Sequence, residues 1–215
     1  GTSGAGIGGA SSRSSSNITI TGGNITATAG SNSGTRLVYC GAGIGGGGFG
    51  EGNNIKITGG TVNATGGEGN GFTIRAGIGG GYQRGANDII ISGNDTKVTA
   101  TGKDGGAGIG GGFAGTATDI TISGGTVDAT GGSHGAGIGG GGNSYQSAAG
   151  SATDIAISGG NVTAIGGKGS DSQSGGAGIG GGTDIFGYGC GGVGSNITIS
   201  GGTVNAVGGR NSAGI

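Results

Sequence analysis

The chain has 215 residues, of which 69 are glycine, and it contains no proline, methionine or tryptophan. Its formal net charge is −1, from nine basic and ten acidic residues, so the basic surface typical of nucleic-acid-binding proteins is not expected. Collagen is excluded because glycine does not occupy every third position and proline is absent. No apolar run approaches the roughly 18 residues of a membrane span.

A five-residue string, Ala-Gly-Ile-Gly-Gly, recurs along the whole chain. Complete copies begin at Ala5, Ala42, Ala76, Ala107, Ala136 and Ala177, and a seventh copy starts at Ala213. Each complete copy is followed by a loop, an Ile-x-Ile strand, a Gly-Gly pair or a variant of it, a Val-x-Ala strand and a second loop. Such self-similarity indicates stacked structural repeats.

Apolar residues alternate within each predicted strand, so one side of the strand faces a core. The fourth unit shows this most clearly, with inward positions Ile109, Ile120, Ile122, Val127 and Ala129. Three short strands per unit predict an all-β, three-sided parallel β-helix of about six coils. We expect a right-handed coil and a single domain over 1–215, excised from a longer multidomain protein.

Glycine has two predicted roles. Pairs such as Gly59-Gly60 suit corners, where a positive φ costs other residues free energy. On the first strand, Gly43, Gly45, Gly108 and Gly110 point outward, and they are expected to leave this face as bare backbone that a ligand approaches closely.

A column of polar residues precedes the Ile-x-Ile strands, at Asn17, Asn54, Asp88, Asp119, Asp154 and Asn196. Stacked carboxylates are candidate calcium ligands, but Asn and Asp also suit corners because they hydrogen-bond to nearby backbone. Turn chemistry explains both residue types and is favoured, so we expect no metal and no other cofactor. Cys40 and Cys190 fall far apart in the predicted coil and are expected to be thiols.

Large side chains gather in the loops. Six of the eight aromatic residues lie in the loops that follow the Ala-Gly-Ile-Gly-Gly string, and these loops are expected to project from one edge of the rod. Aromatic rings in a row could stack on the sugars of a polysaccharide, since rungs about 4.8 Å apart are similar in length to one sugar unit of a linear β-glycan. The predicted carbohydrate-binding residues are Tyr82, Gln83, Arg84, Phe113, Tyr145, Gln146, Phe49 and Tyr188. The alternative is that these loops merely tolerate large residues.

The Val-x-Ala strand carries a second candidate surface. Ten of its eighteen outward positions are Thr, an array typical of ice-binding solenoids, although Lys97 and Asp128 interrupt it and a two-residue insertion precedes Lys97. A passive adhesin stalk is a third possibility. Catalysis is not expected, because His134 is the only histidine and the charges are scattered.

The blocks Ala-Gly-Ile-Gly-Gly-Gly, Ile-Thr-Ile-Ser-Gly-Gly and Thr-Val-x-Ala-Thr-Gly-Gly resemble Gly-rich repeats of gut-bacterial surface and secreted proteins. The chain is also similar to the parallel β-helical carbohydrate-binding modules of plant-polysaccharide hydrolases, including xylan-binding ones. The resemblance spans all six coils. It implies a non-catalytic module, extracellular or on the bacterial cell surface, that holds a covalently linked glycoside hydrolase on xylan or a related β-glycan, with no nucleic-acid or membrane partner.

Overall fold

The computed structural model describes residues 4–30, 39–67, 75–143, 148–170, 173–184 and 191–215. Within these ranges the regular secondary structure consists of β-strands. No helix there has the length and apolar character needed to cross a membrane.

The strands form two sheets, and every strand pairing is parallel. The first sheet stacks six two-residue strands in chain order: β1 (Ile7–Gly8), β3 (Ile44–Gly45), β5 (Ile78–Gly79), β8 (Ile109–Gly110), β10 (Ile138–Gly139) and β12 (Ile179–Gly180). The second sheet contains the longer strands: β2 (Ile18–Thr28), β4 (Gly52–Thr65), β6 (Ala86–Ile91), β7 (Lys97–Thr101), β9 (Ala117–Thr130), β11 (Ala152–Ile165), β13 (Gly194–Ile199) and β14 (Thr203–Val207).

The second sheet bends at its Gly-Gly pairs and so supplies two sides of the coil. In β11 the register shifts around Gly159, and Gly160 has a φ of 91°, a conformation that favours glycine. We call the Ile-x-Ile half of this sheet the second face and the Val-x-Ala half the third face. With the short Ile-Gly strands they enclose one core.

Identical residues lie above one another in this core. Ile120 pairs with Ile89 on one side and with Ile155 on the other, and all three are 0% exposed. Because inward positions repeat in every coil, each inward aliphatic side chain packs on the aliphatic side chain at the same position of the next coil. The predicted parallel β-helix is therefore confirmed.

Burial decreases at the last coil. Ile199 is 40% exposed, whereas Ile157, its partner in the preceding coil, is 0% exposed. The inward residues of the last coil have a neighbouring coil on one side within the described residues, so they bury less apolar surface.

The Asn and Asp column marks a corner of the coil. All six residues have a positive φ, between 51° and 59°, which Asn and Asp tolerate better than other side-chain-bearing residues. Side chains of this column also hydrogen-bond between adjacent rungs: the Asn196 amide donates through Nδ2 to the Asp154 carboxylate oxygen Oδ1 at 3.0 Å. The turn interpretation of this column is therefore confirmed.

The prediction of a bare, accessible first face is wrong. Gly43, Gly45, Gly108 and Gly110 are all buried. The reason is that each Ala-Gly-Ile-Gly-Gly string closes into a tight turn, in which the first amide donates to the fifth carbonyl, as from Ala107 to Gly111 at 3.0 Å. The glycine-rich segments on both sides then pack directly against it.

These segments hydrogen-bond both within a coil and between coils. Gly115 donates to the carbonyl of Gly112 in its own coil at 3.0 Å, and Gly112 donates to Arg84 of the preceding coil at 3.0 Å. Backbones so close leave no room for side chains: a Cβ on Gly115 would meet the carbonyl of Arg84. Glycine serves here for backbone-to-backbone packing rather than for access by a ligand.

Candidate functional site

Four aromatic rings from the loops around the Ala-Gly-Ile turns pack on one another. Ring centroids lie 4.7 Å apart for Tyr39 and Phe49, 4.4 Å for Tyr39 and Tyr82, and 5.4 Å for Phe49 and Tyr82. Tyr82 and Phe113 are stacked, with centroids 5.0 Å apart and planes inclined by 16°. We call these four residues the ring ladder.

The prediction that these rings are exposed is wrong for Tyr82 and Phe113. Tyr82 is 5% exposed and Phe113 is 1% exposed, while Phe49 is half-buried. The physical reason is the rung spacing itself: about 4.8 Å between strands falls within the 4.5–7 Å that aromatic pairs prefer. Rings on adjacent rungs therefore cover one another's faces, and a covered face cannot stack on a sugar.

The other predicted edge residues have different positions. Gln83 and Arg84 are exposed, and Arg84 Nε donates to the carbonyl of Phe49 at 3.1 Å, which ties adjacent loops together. The remaining three, Tyr145, Gln146 and Tyr188, lie outside the described residues.

Replacing Phe113 by alanine is expected to destabilise the protein by roughly 3 kcal/mol, because the change removes a fully buried ring and leaves a cavity. Urea unfolding monitored by circular dichroism measures this loss, and Phe113→Leu should lose much less. Unchanged stability in Phe113→Ala would contradict a structural role for the ladder.

Two polar residues, Arg75 and Cys40, are buried in the loops that precede the Ala-Gly-Ile turns. The Arg75 guanidinium is fully buried and donates to the carbonyl of Gly67. Burial lowers the pKa of Arg75 to about 10, with Cys40 and Asp104 opposing the shift. Burial raises the pKa of the Cys40 thiol, against the effect of Arg75. Cys40 is a thiol, as predicted, and the raised pKa makes it a poor nucleophile. Cys190 lies outside the described residues.

His134 is also structural in this arrangement. It is 5% exposed, and its Nδ1 donates to the carbonyl of Ser174 at 2.9 Å. The bond joins loops of successive coils, and a buried imidazole held in this way is not presented to a substrate.

The third face, by contrast, presents polar side chains to solvent. Its outward positions form three columns whose members pair in register. Five of the six members of the middle column are exposed, and the column consists of Thr26, Asn63, Thr99, Asp128, Thr163 and Asn205. All eighteen outward positions are described, and none of their side chains hydrogen-bonds to another described residue.

Just before the Asn and Asp corner, polar side chains of adjacent coils hydrogen-bond to one another. Thr118 Oγ1 donates to Asn87 Oδ1 at 2.9 Å, and Ser195 Oγ donates to Thr153 Oγ1 at 3.3 Å. These bonds link adjacent coils at the corner and leave the outward side chains of the third face directed toward solvent.

A groove borders the third face at the Gly-Gly corner of the first three coils. Its volume is about 520 Å³, and it is lined by Gly23, Asn24, Gly60, Thr61, Asn94, Asp95 and Lys97. In the third coil the corner is a turn rather than a Gly-Gly pair, closed by a hydrogen bond from the Thr96 amide to the Gly93 carbonyl at 3.1 Å. We call this the corner groove.

Sequence reasoning did not identify this groove. It did recognise the two-residue insertion before Lys97, but only as an interruption of the Thr array. The insertion is the signal that could have located the groove, because function concentrates where a repeat departs from its own pattern.

Comparison with known proteins agrees with the architecture. A search of the curated proteins and a search of the solved structures each return no match. The model of a family described as "Beta helix repeat" matches residues 18–48, 55–82, 89–113, 120–142 and 197–215, together more than half of the chain. The chain therefore belongs to the beta helix repeat family.

Proposed function

We propose that this β-helix is a non-catalytic carbohydrate-binding module that binds a plant cell-wall polysaccharide, xylan or a related β-glycan, along its third face. The observation that carries the proposal is the in-register array of exposed Thr and Asn side chains that have no hydrogen-bond partner among the described residues. Hydroxyl and amide groups both donate and accept hydrogen bonds, as sugar hydroxyls do.

The rung spacing supports an extended ligand. Successive members of a column lie about 4.8 Å apart, similar to the length of one sugar unit in a linear β-glycan. A glycan chain lying parallel to the rod axis would meet an equivalent polar side chain at each unit. The affinity is expected to be micromolar or weaker, since an open surface removes little ligand area from water.

The proposed site is on the third face rather than on the aromatic edge, because Tyr82 and Phe113 are buried. The resemblance to modules of plant-polysaccharide hydrolases supports a covalently linked glycoside hydrolase as the partner domain. It equally supports an extracellular or bacterial cell-surface location.

Affinity electrophoresis through gels containing xylan, β-glucan or pectin tests the proposal, with retardation on at least one neutral glycan as the expected result. The double variant Asn63→Ala/Thr99→Ala should bind about tenfold more weakly, since two hydrogen bonds are lost. The matched control is Thr121→Ala/Thr198→Ala on the second face, which should bind like the parent. Unchanged mobility of the parent protein on every glycan would exclude this function.

Ice binding is a second candidate for the same face. It is favoured by four consecutive Thr in one column, Thr28, Thr65, Thr101 and Thr130, which pair rung to rung. Thermal hysteresis in the parent protein, lost in Thr101→Lys but retained in the second-face variant Thr121→Lys, would support it over glycan binding. A passive stalk would show neither hysteresis nor retardation.

A further inference from the structure

The corner groove owes its shape to one local departure from the repeat. In the fourth coil the second and third faces are joined by Ser123, Gly124 and Gly125, whereas the third coil has Asn94, Asp95 and Thr96 in place of the second glycine. Thr96 is 1% exposed, and its hydroxyl donates to the carbonyl of Ser92 at 2.5 Å. Beside the anchored Thr96, Asn94 and Asp95 are exposed and form a ridge at the corner.

The corners of the first two coils, Gly22-Gly23 and Gly59-Gly60, carry no side chains beside this ridge. Gly23 and Gly60 have positive φ values of 89° and 87°, and a Cβ on Gly22 would meet no atom within 4 Å. The groove therefore has a backbone floor that a ligand ring approaches closely. The groove, of about 520 Å³, is open to solvent along its length.

The polar groups around this floor have complementary hydrogen-bonding capacities. Lys97 offers an ammonium that only donates, Asp95 a carboxylate that only accepts, and Asn94 an amide that does both. All three are exposed, and none hydrogen-bonds to another described residue. This combination matches adjacent sugar hydroxyls, each of which donates one hydrogen bond and accepts others.

The charges of the site favour a neutral sugar. Lys97 is the one cation among the outward positions of the third face, all of which are described, and Asp95 lines the groove with it. A uronate would be attracted by Lys97 and repelled by the Asp95 carboxylate in the same groove. A neutral pyranose donates hydroxyl hydrogens to Asp95 without that repulsion.

We propose that the corner groove is the subsite that selects a neutral, hydroxyl-rich sugar unit of the glycan, held by Asp95, Lys97 and Asn94 over the glycine floor. This subsite rests on the proposed glycan-binding function and makes it specific: neutral glycans are ligands, and polyuronates are not.

Isothermal titration of the full chain with xylohexaose, cellohexaose and hexagalacturonate tests the subsite. Lys97→Thr should weaken binding of the neutral ligand at least about tenfold, because a hydrogen bond from a charged donor is lost. The fold should survive, since Thr61 and Thr126 occupy this position in the adjacent coils. Lys56→Thr on the second face is the matched control, because its register partner is Thr19.

A second variant removes the ridge itself. Replacing Asn94, Asp95 and Thr96 by one glycine recreates the Ser-Gly-Gly corner of the fourth coil and should also weaken neutral-glycan binding about tenfold. For the carboxylate, Asp95→Asn is compared with Asp119→Asn, a corner position at which other coils already have Asn. The first should weaken binding of the neutral ligand and the second should not.

The possible results separate the subsite from the function. Neutral-glycan binding by the parent that is unchanged in Lys97→Thr and in the restored corner would refute the subsite and leave the third-face function standing. Tighter binding of hexagalacturonate than of both neutral ligands would refute the selectivity. No binding of any glycan by the parent would refute the function and the subsite together.

Discussion

Gly110→Ala is expected to destabilise the native coil strongly. Gly110 has a φ of 133°, a conformation that alanine adopts only with strain, and a Cβ there would overlap the carbonyl oxygen of Gly139 in the next coil. Strain of this kind costs about 1–3 kcal/mol and overpacking a similar amount. We therefore expect a loss of roughly 4 kcal/mol or more in the free energy of unfolding.

Gly22→Ala is the matched control. A Cβ on Gly22 would meet no atom within 4 Å, and its φ is not in the positive region. Its stability should change by less than about 0.5 kcal/mol. Thermal and urea unfolding, followed by circular dichroism, measure both variants. Native stability in Gly110→Ala would mean that the backbones of adjacent coils are not packed as closely as described.

The second large effect is expected from Ile122→Ala. Ile122 is 0% exposed and lies between Ile91 and Ile157 in its column. Removing three carbons from such a position costs about 2–5 kcal/mol, as the lost burial and the remaining cavity add together. A column interrupted in the middle also weakens the coil contacts on both sides, since each coil relies on its neighbours to bury its core.

Ile199→Ala makes the same chemical change in the same column at the last coil. Ile199 is 40% exposed, so its loss should cost only about 1 kcal/mol. Urea denaturation of the two variants gives the comparison directly. Equal losses at Ile122 and Ile199 would contradict a core in which central coils depend on neighbours on both sides.

The strand columns were predictable because their residues are constrained in two ways at once. Alternation along a strand determines which side chains face the core, and the repeat determines which residue follows in the next coil. The paired positions Ile89, Ile120 and Ile155 satisfy both conditions, and the structure confirms their register. The Asn and Asp column was interpretable for a similar reason, because a positive φ is a local requirement.

The loops were not predictable in this way, because they lack a repeat. The number and position of aromatic residues were visible, but not whether the rings of adjacent loops point outward or pack together. Tyr82 and Phe113 pack together. The corner groove was missed because its lining comes from three coils, so its parts are far apart in the chain.

The amino-acid sequence by itself determined the coil: its three strands, their inward residues and the corners occupied by Asn, Asp and Gly. These features depend on short-range conformation and on burial that repeats at every rung. Only the tertiary structure decided which surfaces remain accessible. Accessibility depends on which segments, distant in the chain, pack against one another. In this protein such packing buries the Ile-Gly strands and the rings of Tyr82 and Phe113, whereas the Thr and Asn side chains of the third face remain in solvent.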